Sequence, residues 1–149
     1  MLINILKSLF RRDLEKLKQE ISLYKDEKKL WVIEQGVANS AGNLCLHLIG
    51  NLNTYVGAVL GQTGYIRYRD LEFSLKDVPR NELLAKIDEV IAVVENTLDK
   101  VSEAQLQEEF PILIFDEKKS VLFTLVHLTT HLAYHLGQVN YHRRLLAHT

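Results

Sequence analysis

The sequence predicts an all-α fold, a four-helix bundle forming one domain over residues 1–149. Three observations carry that expectation. Apolar residues recur at spacings of three and four in four separate segments. No alternating strand pattern appears, and only two prolines and seven glycines interrupt the 149 residues. Long amphipathic helices without strands pack as bundles. A chain of this length can bury roughly 70% of its extended surface, enough for one core.

The first helix is expected from about Asn4 to Lys29. Ile5, Leu6, Leu9, Leu14, Leu17, Ile21 and Tyr24 form its apolar stripe, with Arg11, Arg12, Glu15, Lys18 and Gln19 opposite. Gly36 and Asn39-Ser40 mark a stop and a restart, with Ser40 the N-cap. The second helix is expected over Ala41 to Leu60, striped by Leu44, Leu48, Leu52, Tyr55 and Val59. Gly42, Gly50 and Gly57 lie inside it, each costing roughly 0.5–1 kcal/mol relative to alanine. Two readings stay open: something must approach the helix closely, or tertiary packing rescues a marginal helix.

Gly61 to Pro79 is the longest non-periodic stretch and carries the polar run Arg67-Tyr-Arg-Asp-Leu-Glu72. A loop of this length in a compact domain often serves as a lid. The third helix is expected from Arg80 to Val101, with Leu83, Leu84, Ile87, Val90, Ile91, Val94, Leu98 and Val101 inward. Phe110-Pro111 breaks the pattern, and Ile112 to Phe115 reads as a short extended piece. Ser120 is the expected N-cap of a fourth helix running to about Ala147.

Composition narrows the function. The net charge is −1, so no basic surplus argues for nucleic acid or an anionic membrane. Apolar residues are 47% and charged residues 25%, ordinary for a soluble globular protein. The longest apolar run falls far short of the ~18 residues of a membrane span. Met1 to Phe10 lacks the basic start and cleavage pattern of a signal peptide. The single cysteine, Cys45, cannot form an internal disulfide. A cytoplasmic protein is the expectation.

Four of the six histidines fall on the last helix: His127, His131, His135 and His142. With Leu125 taken as the origin and about 100° per residue, the core stripe of that helix centres at about 340°. On the same scale His135 lies at about 280°, His131 at about 240° and His127 at about 200°. An i, i+4 pair holds two imidazoles about 6 Å apart on one face, the spacing by which a helix chelates a metal. His127/His131 and His131/His135 both satisfy it, and the second pair lies nearer the interior. His142 has a suitable direction but sits roughly 10 Å along the axis from His135. A third ligand must come from another helix, and His47 is the histidine available in the bundle proper. Asn51, Thr54 and Ala58 share its flank and leave room for an ion. Cys45, about 200° round the helix, faces away. The bland alternative for His47 is a hydrogen-bonded core residue.

These residues carry a resemblance. Asn39-Ser-Ala-Gly-Asn-Leu-Cys-Leu-His47-Leu-Ile-Gly-Asn-Leu, followed by His131-Leu-Ala-Tyr-His135-Leu-Gly-Gln138-Val, is similar to the DinB/YfiT-like superfamily over nearly the whole chain. The resemblance implies an up-down-down-up bundle, often dimeric, holding a divalent ion on His47, His131 and His135. His127 is extra to that pattern. Members with known activities include thiol S-transferases that use low-molecular-weight thiols, and a mycothiol-dependent isomerase. The resemblance thus implies a metal-dependent thiol transferase working as a homodimer on small molecules; the charge balance, separately, gives no role for nucleic acid or membrane. Imidazole donors suit zinc, nickel, copper and iron; zinc or nickel is the expected ion, with iron or manganese as further choices.

Three neutral imidazoles leave an ion with open positions, as in catalytic sites. Arg67 or Arg69 would bind the carboxylates of a thiol, unless each is simply a solvated loop charge. A hydrolase, the rival enzyme class, wants a general base, and no Asp or Glu stands within a turn of the three histidines in sequence. A third reading is a non-catalytic metal- or ligand-binding bundle.

Overall fold

The computed structural model describes residues 1–147, and five α-helices account for most of them. α1 (Leu2–Leu23) buries Ile3, Leu6, Phe10, Leu14, Leu17 and Ile21, a run of three- and four-residue steps that turns one face inward. Ile5, expected inside, is exposed. The helix also stops six residues before Lys29. Tyr24 takes an extended conformation, and Asp26 caps a separate 3-10 turn, Glu27–Trp31, by accepting from the Lys28 N–H. That break drives Leu30 and Trp31 into the core.

Ser40 caps α2 (Ala41–Leu52) as expected, accepting from the Asn43 N–H at 3.2 Å. All twelve residues of α2 are buried. The expected helix to Leu60 does not keep one hydrogen-bond pattern, because Asn53–Leu60 is a wider π-helical segment. Such segments often accompany functional sites. The glycines of α2 answer the open question in favour of close approach. A Cβ on Gly42 would lie 2.7 Å from the Trp31 ring, and one on Gly50 would overlap the Glu72 carboxylate.

The stretch Gly61 to Pro79 is less irregular than its sequence suggests. It contains a short helix, α3 (Arg69–Ser74), which packs on α2. Asn43 pins its C-terminal end, donating to the carbonyls of Glu72 and Leu75 at 3.0 and 2.9 Å. Asn43 is itself fully buried, so α3 is anchored through the cap of α2.

α4 (Arg80–Asp99) starts directly after Pro79 and buries Leu83, Ile87, Val90, Ile91, Val94 and Leu98. Ile112 to Phe115 forms no strand. The pairing here is a single antiparallel bridge between Glu109 and Ser120, closed by Phe110 N–H to Lys119 O and Val121 N–H to Glu108 O. With no partner strand in reach, two extended residues cannot propagate a ladder. α5 (Val121–Leu146) follows, its cap Ser120 accepting from the Phe123 N–H at 3.0 Å.

α1 packs against α4 and α5, and α2 packs against α4 and α5. The shared core is aliphatic, with Phe10 and Phe110 as its largest fully buried rings. None of the described helices is long and apolar enough to cross a membrane.

Candidate metal centre

α2 and α5 lie against each other, and the contact brings His47 opposite the His131/His135 pair. The ring centroid of His47 stands 5.1 Å from that of His131 and 5.2 Å from that of His135, and the pair on α5 is 4.6 Å apart. The rings meet edge to face, so nitrogens rather than ring planes converge. One donor atom from each of the three lies within 4.8 Å of the others. His47 Nε2 and His131 Nε2 are 3.2 Å apart. Two nitrogens each about 2.0–2.1 Å from one tetrahedral ion would be separated by roughly 3.3 Å. The donor set therefore fits a small divalent cation.

The rear nitrogens explain why the rings point inward. His47 Nδ1 lies 3.1 Å from Glu72 Oε1, so its N–H donates to that carboxylate and Nε2 keeps its lone pair. His135 Nδ1 does the same with Gln138 Oε1 at 2.7 Å. Partners of this kind set the tautomer and orientation of a metal-ligating histidine. His131 Nδ1 is buried with no hydrogen-bond partner among the described residues.

Glu72 was not legible as a site residue. It sits 25 positions from His47 and reaches it from α3. Arg67 grips the same carboxylate through Nε at 2.8 Å and Nη2 at 2.9 Å, a bidentate pair. Burial alone would oppose ionisation of Glu72, but hydrogen bonds from His47 and Arg67 outweigh it and hold the carboxyl below its usual range. Arg67 is thus paired with Glu72 rather than a solvated loop charge. Gly50 supplies the missing space, since its absent side chain is where the Glu72 carboxylate sits. A glycine one turn after a candidate ligand was the sequence signal for this contact.

Burial lowers the His131 pKa to about 4, and the neighbouring charges of His135, His47, His127 and Arg67 push in the same direction. Burial also lowers His135, partly opposed by the Gln138 hydrogen bond. Each shift favours the neutral ring, the form that binds metal. Phe73 covers the His47 ring at 5.0 Å, and Arg69 lies over Phe73 at 5.2 Å.

The other histidines fall outside this cluster. His127 is exposed, 6.3 Å from the His131 ring and edge-on to Phe115. His142 is buried one layer away: its Nε2–H donates to the Val32 carbonyl at 2.8 Å, and its Nδ1 accepts from the Tyr24 hydroxyl at 2.6 Å. Cys45 is buried in the apolar core, which pushes its thiol up to about 12.

A small polar cavity of about 180 Å³ opens on one side of the cluster, among His47, Asn51, Arg67, Arg69, His127 and His131. On the other side His135 borders a larger groove of about 430 Å³.

The model of one protein family, described as "Protein of unknown function (DUF1572)", matches residues 2–149. The chain belongs to that family. Its match spans α1 through α5 and therefore all three converging histidines, so family and cluster concern the same unit. No curated protein matches the chain.

Proposed function

We propose that His47, His131 and His135 hold a divalent metal ion and that the chain is a metal-dependent transferase acting on a low-molecular-weight thiol. The observation that carries the metal part is the convergence of three imidazole nitrogens whose rear atoms are held, in two of the three cases, by Glu72 and Gln138. A bound ion would hold a thiol as its thiolate or polarise a substrate oxygen. The chain's own groups supply the rest. Glu72 and Gln138 keep the lone pairs of His47 and His135 aimed at one point. Arg69, stacked on Phe73 at the polar cavity, offers its guanidinium to a carboxylate of the incoming thiol.

The thiol-transferase part rests on resemblance to DinB-like proteins, and the same resemblance reads the four long helices as an up-down-down-up bundle. A hydrolase needs a free general base, and both oxygens of Glu72 are already engaged by His47 and Arg67. That favours the transferase. The reading includes a cytoplasmic homodimer, with the exposed Met1, Leu2 and Ile5 end of α1 as the surface a second copy covers; a single monomeric mass in sedimentation at micromolar concentration refutes it.

The test is elemental analysis of tag-free protein, followed by a screen of thiols and electrophiles with nickel- and zinc-loaded samples. One metal per chain with thiol-dependent turnover is expected. Metal without turnover on any pair would reduce the protein to a binder.

A further inference from the structure

The groove beside His135 has a chemistry of its own. One wall is the segment Glu34 to Asn39, and the other is the outer face of α5, where Tyr134, Gln138, Tyr141 and Leu145 repeat at four-, three- and four-residue steps. Those steps put all four side chains on one stripe of the helix. Tyr134, Tyr141 and Leu145 are each about two-thirds exposed: 65%, 64% and 66%. Three large side chains aligned and open to water give the groove an apolar wall.

Charge says what kind. No Asp, Glu, Lys or Arg occurs between Lys119 and Arg143 in the sequence, so six turns of α5 present no ionic group. Among the groove's lining residues no lysine or arginine occurs, and Glu34 is its one charged side chain. Glu34 has no ion-pair partner among the described residues. The polar cavity across the cluster is the opposite, with Arg67 and Arg69 in its walls. A volume of about 430 Å³ lies within the roughly 300–1,000 Å³ of small-molecule pockets. The recess is concave, lined from both the loop and the helix, rather than a bare helix face.

We propose that this groove binds a neutral or cationic small molecule with an aromatic or aliphatic body, and presents it beside His135. It would take the apolar reactant, leaving the polar cavity for an anionic one. In that role it deepens the transferase reading, and its binding chemistry stands on the groove alone.

Amide NMR of the metal-free protein, titrated with indole, tests the groove without using the ion. Signals of Val37, Tyr134 and Leu145 are expected to shift together and saturate in the millimolar range or tighter. Tryptamine should bind about three- to tenfold more tightly than indole-3-acetate, the ratio a single partly exposed charge supplies. Glu34→Gln should remove that preference while leaving indole binding intact. Leu145→Lys, at an exposed position that tolerates the change, should abolish indole binding with the rest of the spectrum preserved. The proposal is overturned if indole leaves these signals unmoved or if indole-3-acetate binds best. It is also overturned if the same signals shift with protein concentration alone, which would make a second copy the occupant. Nickel titration of the same sample is scored separately: groove binding without nickel uptake removes the metal reading only, and nickel uptake without groove binding removes the groove only.

Discussion

His135 and His142 lie two turns apart on α5, point in nearly the same direction, and have opposite fates. Opposite His142 stand a tyrosine hydroxyl and a backbone carbonyl, and both ring nitrogens are consumed. Beside His135 stand His47, across from it on α2, and His131, one turn away on its own helix, and its one hydrogen bond among the described residues is at the rear nitrogen. A histidine's role is thus set by what faces it. Donors and acceptors of the fold make it a structural crosslink, whereas competing lone pairs leave it as a ligand.

The largest expected effect breaks the ligand side of that contrast. His47→Ala, His131→Ala and His135→Ala should each weaken nickel or zinc binding at least ~100-fold, since two imidazoles seldom hold an ion tightly. Helicity by circular dichroism should be preserved, because the core is aliphatic. His142→Ala and Cys45→Ala should bind metal like wild type. If His127→Ala loses the ion instead of His47→Ala, the assignment of ligands is wrong.

Next come the groups that aim the ligands. Glu72→Gln should cost about 10- to 100-fold in metal affinity. Gly50→Ala should do the same, because its new methyl displaces the Glu72 carboxylate. Isothermal titration of both and of the double variant sharpens the point: if they act through one contact, the double loses little more than either single.

A third test uses pH. His131 has its folded pKa lowered from 6.5 to about 4, so between those values the unfolded chain takes up a proton that the folded chain refuses. Stability of the metal-free protein should therefore decline as pH falls from about 6.5 to 4. Partial exposure of the ring reduces the loss to about 2 kcal/mol. Urea melts across this window check the sign, and a flat profile would contradict the burial of a neutral His131. Metal occupancy should fall as pH drops, because all three imidazoles must be neutral to bind.

The structural side of the contrast is smaller. His142→Ala should cost about 1–2 kcal/mol in urea melts, since the Tyr24 hydroxyl and Val32 carbonyl lose a buried partner. His127→Ala should change stability by less than about 0.5 kcal/mol, as befits an exposed position.

Helical periodicity located α1, α2, α4 and α5 because a 3.6-residue repeat is a property of the local chain, and Ser40 and Ser120 announced their helices by local capping. The same arithmetic put His131 and His135 on one face and turned Cys45 away from His47. What it missed was non-local or set by competition. Tyr24, where α1 breaks, is bonded to His142, 118 residues later. α3 exists because Asn43 and the Glu72 pocket at Gly50 hold it, while its own six residues are too few to be helical alone. No sequence spacing connects Glu72 to His47, and none shows that Gln138 and Glu72 finish two rings while His131 Nδ1 goes without. Periodicity decides which face a side chain takes; only the packing of α3 and α5 against α2 decides what it meets there.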